Sequence, residues 1–311
     1  MKIIGEFSSL VAAAAALPPS RVVVVNPSND ETFASLAEAR RLLRARLVLT
    51  GPLAAMERGL AAAGIDAAGV ELIDCPTVAQ SLEKAIELVR SDRGDILMKG
   101  SVDTSTMMKA ALREENGLRM GRLLSDIFVL EYPARGDNRF VMITDGGMTL
   151  APDLKNKIEL IANAVEVAHA LGNPMPKVAV LSATEFVVPN LPSTLDAAAL
   201  AKMNERGQIR GCIVDGPLAL DNALSPEAAQ EKGIRSPVAG HAEILVAANI
   251  ESANSLAKST TYFADLPLAH VIVGARVPIL IPSRADKSSA RLYSIALGVL
   301  MSHHGRNHDA D

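Results

Sequence analysis

Short runs of aliphatic and β-branched residues recur along this chain with few polar residues inside them, and helix-period segments separate nearly every pair. The runs lie at 21–25, 47–50, 70–74, 96–99, 126–131, 140–144, 177–181, 211–214, 243–247, 270–273 and 279–281. Strands that are apolar throughout, instead of alternating apolar and polar, need helices on both faces of their sheet. Amphipathic segments at 31–46, 77–90, 103–115, 153–171, 195–206, 251–263 and 286–301 supply them. The pattern predicts an α/β fold with parallel or mixed doubly wound sheets, in which ligands bind at the carboxyl ends of the strands.

The alternation breaks once. Between 125 and 144 two strand-like runs follow each other, separated by Pro133-Ala134-Arg135-Gly136-Asp137-Asn138. This predicts a crossing into a second domain. Residues 1–125 plus 284–311 are expected to form the first α/β domain, with the last helix returning to it, and 126–283 the second. A chain of 311 residues is long enough for two such domains.

A formal net charge of −4, no Trp, 3 Tyr and 6 Phe provide neither the basic face of a duplex binder nor stacking platforms for single strands. An anionic ligand must then be held by a few local cations. Cys75 and Cys212 both adjoin apolar runs and cannot make a disulfide framework, which suits a reducing cytoplasm. Residues 10–17 (LVAAAAAL) have some signal-peptide character, but Glu6 precedes them and a strand-like run follows, so a packed first helix is expected. No apolar stretch reaches membrane-spanning length. The His303-His304 end, with His308, reads as a solvated, frayed tail and not as a metal site.

Two strand-to-helix junctions combine a cation with hydroxyls. One reads Lys99-Gly100-Ser101-Val102-Asp103-Thr104-Ser105-Thr106, the other Ser283-Arg284-Ala285-Asp286-Lys287-Ser288-Ser289. A helix start offers unpaired N–H groups and the positive dipole end, both favourable to phosphate. Lys adds charge, and Arg adds a planar fork that matches phosphate oxygens. Hydroxyls at a single junction are better explained as helix caps. Two such junctions in one chain point to a phosphorylated ligand.

The standard glycine-rich nucleotide loops, the G-x-S-x-G elbow and H-E-x-x-H are all missing. Asp215 and Asp221 flank Gly216–Leu220 and lack an evident third metal ligand, so turn and capping duty is the expectation and no metal is assigned. Cys212, inside a strand-like run, reads as a buried structural thiol. Asp145-Gly146-Gly147, Ser182-Ala183-Thr184-Glu185 and the stretch from Asn249 to Asn254 each follow a strand, and their shared location suggests that they line a cleft.

Several of these runs resemble the phosphate acetyl/butyryl transferase family, above all its butyryl branch. They are Lys99–Thr106, Gly117-Leu118-Arg119-Met120-Gly121, Leu195–Met203, Asp215–Ala223, Tyr262-Phe263-Ala264-Asp265, Val271–Ala275 and Ser283-Arg284-Ala285-Asp286. The resemblance covers about residues 20 to 300. It implies a two-domain fold like that of the isocitrate and isopropylmalate dehydrogenases, with the active site in the interdomain cleft. It also implies the reaction acyl-CoA + phosphate ⇌ acyl phosphate + CoA, with CoA and phosphate as substrates and no permanent cofactor, and a homodimer. Three positions depart from the family pattern. Ala290 stands where acetyltransferase relatives carry an aspartate, Ala248-Asn249 replaces Pro-Asn/Asp, and Ala253 replaces the glycine before Asn254.

For that reaction, Arg284 and Ser283 are the expected catalytic pair, Arg284 on the phosphate and Ser283 on the carbonyl or sulfur. Thr104 and Ser105 are assigned with Arg284 to phosphate, and Lys99, Gly100, Arg119 and Asn254 to CoA. Asp145, Glu185 and Asp215 are assigned to the cleft lining. Two other readings remain open at this point: a metal- and NAD-dependent decarboxylating dehydrogenase on the same fold, and a non-catalytic acyl-CoA-binding protein.

Overall fold

A computed structural model describes residues 3–115, 117–283 and 285–308. Its strands are β1 (Arg21–Val25), β2 (Arg46–Gly51), β3 (Glu71–Asp74), β4 (Ile96–Lys99), β5 (Ser125–Glu131), β6 (Phe140–Thr144), β7 (Lys177–Leu181), β8 (Ile213–Leu218), β9 (Ile244–Val246), β10 (Leu268–Val273) and β11 (Ile279–Leu280). Its helices are α1 (Phe7–Ala16), α2 (Asp30–Leu43), α3 (Leu53–Ala62), α4 (Val78–Arg90), α5 (Thr104–Ala111), α6 (Leu154–Ala170), α7 (Pro192–Glu205), α8 (Leu220–Leu224), α9 (Pro226–Glu231), α10 (Ile250–Tyr262) and α11 (Ser288–His308). Among the described residues no helix is long and apolar enough to cross a membrane.

The chain forms two compact units. One comprises Phe7–Arg122 and the described chain from Ala269 onward. Its strands run in the order β3-β2-β1-β4-β11-β10. All neighbours are parallel except β10, which runs antiparallel to β11. Val22 to Val25, Ile96 and Leu97 are fully buried, as continuous apolar strands require. The last helix, α11, packs against α1, α2, β4 and β11, and its Tyr293 ring stacks on Phe7 at 4.3 Å.

The other unit comprises Leu123–Leu268 with the described residues before Phe7, in strand order β5-β6-β9-β7-β8. β6, β9, β7 and β8 are mutually parallel and β5 is antiparallel to β6. Three helices in the two units begin with reciprocal capping boxes: Thr77 with Gln80, Asp153 with Asn156, and Asn249 with Ser252.

The expected boundaries need correction. The return crossing lies at Ala269 and not at residue 284, because β11 pairs with β4 (Ile279 opposite Leu97, Leu280 opposite Met98) and β10 pairs with β11. Residues 3–6 also depart from the expected first domain: the Ile4 N–H donates to Leu171 O at 2.9 Å in the other unit's α6–β7 turn. The tail expected to be frayed continues α11 to His308, and His303 Nε2 lies 3.1 Å from Pro18 O. Helix α5 stops at Ala111 instead of continuing to 115, where the Leu118 N–H caps Ala111 O.

Candidate functional site

Parallel order places the carboxyl ends of β1, β4 and β11 side by side, and both cationic junctions leave from that edge. Val25 of β1 pairs with Lys99, the last residue of β4. The Lys99 side chain is buried and is engaged by neighbours. Gly100 turns the chain against β1: its N–H donates to Val25 O at 2.9 Å, and a Cβ at this position would lie 2.4 Å from the same oxygen. Glycine is therefore required at Gly100 by backbone packing alone.

Hydroxyls tie this turn to the one after β1. Ser28 Oγ and Ser101 Oγ are 2.5 Å apart, and Asn26 Nδ2 donates to Ser101 O at 3.0 Å. The start of α5 is not an open anion site, because Asp103 caps it. Its carboxylate accepts the Thr106 N–H at 2.9 Å and the Ser105 hydroxyl at 2.8 Å, and hydrogen bonds from Thr106 and Ser105 hold it far below the usual carboxylate range. The Ser105 hydroxyl is thus committed to Asp103. That of Thr104, half-buried on the first turn, is the other candidate there.

The second junction lies one strand further along the edge. Ser283 is exposed and precedes α11 by five residues, so it does not cap that helix. Its N–H donates to Asp286 Oδ2 at 2.7 Å, which closes a turn over 283–286. Arg284 lies outside the described residues. His270 Nε2, on β10, lies 4.0 Å from Asp286 Oδ2. Arg291, 2% exposed, reaches back from α11 to the same turn. Arg119 is placed elsewhere. It bridges to Ala275 in the β10–β11 turn, at the amino edge of β11, and the neighbouring Arg276 contacts Asp92 ahead of β4. The structure gathers Lys99, Gly100, Thr104, Ser105 and Ser283 on one edge of this sheet and puts the Arg119 backbone on the opposite one.

In the other unit, Asp145, Glu185 and Asn254 follow the carboxyl ends of β6, β7 and β9. Asn254 Nδ2 donates to Gly146 O at 2.9 Å. Asp145 is 2% exposed and accepts four backbone N–H groups, from Asp126, Gly147, Met148 and Thr149, at 2.8–3.1 Å. Burial, helped by the nearby Asp126 carboxylate, nevertheless pushes its carboxyl up to about 6. Glu185 Oε2 accepts from Asn222 Nδ2 and from Lys232, which also pairs with Asp221. Asp215 does not flank a loop as expected. It lies inside β8 opposite Ala179, because a register shift lets the strand continue through Gly216 and Pro217 to Leu218. Cys212 is buried, which pushes its thiol up to about 11. Among the described residues no three His, Cys, Asp or Glu side chains converge as a metal site would require.

Residues 66–299 match the sequence profile of the family described as phosphate acetyl/butaryl transferase. This chain belongs to that family. It is 41% identical over 295 residues to a phosphate acetyltransferase of Rhizobium meliloti, covering 95% of this chain and 93% of the relative. It is 41% identical over 297 residues to a probable phosphate butyryltransferase of Bacillus subtilis, covering 96% and 98%. The crystal structure of a branched-chain phosphotransacylase from Enterococcus faecalis superposes with a TM-score of 0.80 at 29% identity, over 92% of this chain and 99% of that one. The dehydrogenase and acyl-CoA-binding readings gain no support from these relatives.

Sequence reasoning missed Ser28, Asp126 and Arg291 at these edges. Signals for them were present. Asn26-Pro27-Ser28-Asn29 is a third polar strand-to-helix turn, Asp126 opens an otherwise apolar run, and Arg291 interrupts the apolar stretch that continues through Met301.

Proposed function

We propose that this protein, a phosphate acyltransferase by family, moves a short-chain acyl group between CoA and inorganic phosphate by direct attack in a ternary complex. The observation that carries the site is the adjacency of the β4 and β11 junctions on one carboxyl edge. In the acyl-CoA-forming direction, the thiolate sulfur of CoA bonds to the carbonyl carbon of the acyl phosphate. The carbon–oxygen bond to phosphate breaks, and the thiol proton passes to phosphate or solvent. Free thiols ionise near 8.5, so a modest electrostatic push supplies the thiolate. Arg284 offsets charge on the phosphate and Ser283 hydrogen-bonds the reacting carbonyl or sulfur, while the Thr104 hydroxyl serves phosphate oxygens or the CoA arm, the Ser105 hydroxyl being held by Asp103. Lys99, Gly100 and Asn254 are assigned to CoA, and Arg119, whose backbone lies at the opposite edge of the sheet, is left out of that set. Holding both substrates together supplies much of the acceleration without a covalent intermediate.

The finer fold reading is the isocitrate/isopropylmalate dehydrogenase type with the reaction in an interdomain cleft, lined in part by Asp145 and Glu185, Asp215 being withdrawn from that lining by its place inside β8. It is supported by polar junctions on the carboxyl edge in both units. A reducing cytoplasm suits the two free cysteines. A homodimer through the unit that contains β5–β9 is supported by its exposed apolar residues, among them Phe186 at 69% and Val187 at 54% exposure. Sedimentation at micromolar concentration is expected to give twice 32.7 kDa, and a single species of 32.7 kDa would refute the dimer.

The test of function is thiol release from acetyl-, propionyl-, butyryl- and isobutyryl-CoA with phosphate, in the presence of chelator. Turnover is expected with at least one of them and should persist in the Cys75→Ser, Cys212→Ser double variant, because burial raises both thiols away from reactivity. Strict metal dependence, or loss of turnover in a folded double variant, would sink the proposed mechanism.

A further inference from the structure

We infer that Arg291 is a positioning residue for this reaction, with its buried guanidinium setting the Ser283–Asp286 turn that receives the phosphoryl group. The inference rests on the reading of that turn as the phosphoryl site. Three donors fan out from the one side chain. Nη2 donates to Ser283 O at 2.8 Å, Nε to Asp286 O at 3.2 Å, and Nη1 to Thr32 Oγ1 at 3.1 Å. Two of them grip the first and last carbonyls of the turn. The third reaches the first turn of α2, the helix that follows β1. The turn after β11 is therefore fixed to the element that follows β1, two strands away in the order β1-β4-β11. Only a planar fork satisfies three acceptors in these directions at once; an ammonium on a flexible stem does not.

The charge is in a costly place. Arg291 is 2% exposed and sits in the first turn of α11, where the helix dipole disfavours a cation. Among the described residues no carboxylate hydrogen-bonds it. Asp286 and Glu31 act on it through space, and burial lowers its pKa below the usual arginine value. A neutral side chain would fill this space without that desolvation cost. What the cation adds is a positive potential behind the turn, in surroundings of low dielectric where it is weakly screened, and that potential favours a bound anion.

The test is steady-state kinetics of Arg291→Lys, Thr32→Val and Ser283→Ala in the direction that consumes phosphate. Arg291→Lys is expected to raise the KM for phosphate about tenfold or more while leaving the KM for acyl-CoA within about twofold. Thr32→Val keeps the charge and removes one acceptor, so a smaller rise in phosphate KM, about threefold, is expected. If Arg291→Lys only lowers the thermal midpoint and leaves both KM values and kcat unchanged, Arg291 is structural and the inference is overturned. Should Arg291→Lys fail to fold, Thr32→Val decides by itself, and an unaltered phosphate KM overturns the inference. Ser283→Ala separates the two levels. If it too leaves turnover and phosphate KM unchanged, the turn is not the phosphoryl site and both readings fall. If Ser283→Ala is impaired while the other two variants behave as the native protein, only the role of Arg291 falls.

Discussion

Arg284→Ala is expected to yield a folded protein whose turnover falls by a factor on the order of 10² to 10³, the scale for losing one preorganised charge stabiliser. Phosphate leaving an acyl carbon carries charge that grows as the bond breaks, and a guanidinium fork meets two of its oxygens at once. Arg284→Lys keeps the charge but loses the fork, so phosphate use should worsen with the fold intact. Ser283→Ala should lower turnover with little change in acyl-CoA affinity, because its hydrogen bond is assigned to the transition state. Arg284 lies outside the described residues, but its neighbour Ser283 is exposed at the turn pinned by Asp286 and Arg291. A folded Arg284→Ala protein with native phosphate dependence would remove this junction from the mechanism.

The second large effect is on stability as a function of pH and belongs to Asp145. Its carboxyl titrates near 3.8 in the unfolded chain and at about 6 when buried beside Asp126. Between those values the folded state holds a proton that the unfolded state has lost, so stability falls as pH rises from about 4 to about 6. The difference of about two pKa units corresponds to about 3 kcal/mol lost by pH 7. Denaturant unfolding of the native protein and Asp145→Asn at several pH values from 4 to 8 isolates this contribution, since the amide does not titrate. The native curve should decline through that window relative to the variant. Parallel curves would mean that the four backbone N–H donors keep the carboxylate ionised throughout.

Much of the fold was legible because helix and strand periodicities are local. The eleven apolar runs coincide with β1 to β11, with ends differing by a few residues. What local pattern could not convey is which strand pairs with which. The run at 279–281 reads locally as the end of the second domain, and only its pairing with Leu97 and Met98 assigns it to the first sheet. Asp215 was misplaced for a related reason, since Gly216-Pro217 signals a turn locally while β7 offers it a bulged strand partner. Helix α3 lacked a clear polar face, and Gly59, usually unfavourable inside a helix, is required there because a Cβ would lie 2.0 Å from the Phe33 ring.

The same division applies to the site. Hydroxyls and cations after apolar runs marked the junctions at Lys99 and Ser283 because helix starts attract such residues through short-range hydrogen bonding and the dipole. The sequence by itself determined the α/β class, the identity of those junctions and the family motifs. The tertiary structure alone decided that the two junctions share one carboxyl edge and that Arg119 lies at the other. It also decided that Asp103 already occupies the start of α5 and that a buried arginine eight residues beyond Ser283 grips its carbonyl. Those facts depend on strand order, burial and side-chain contacts between residues as far apart as Thr32 and Arg291, and no local pattern in the chain encodes them.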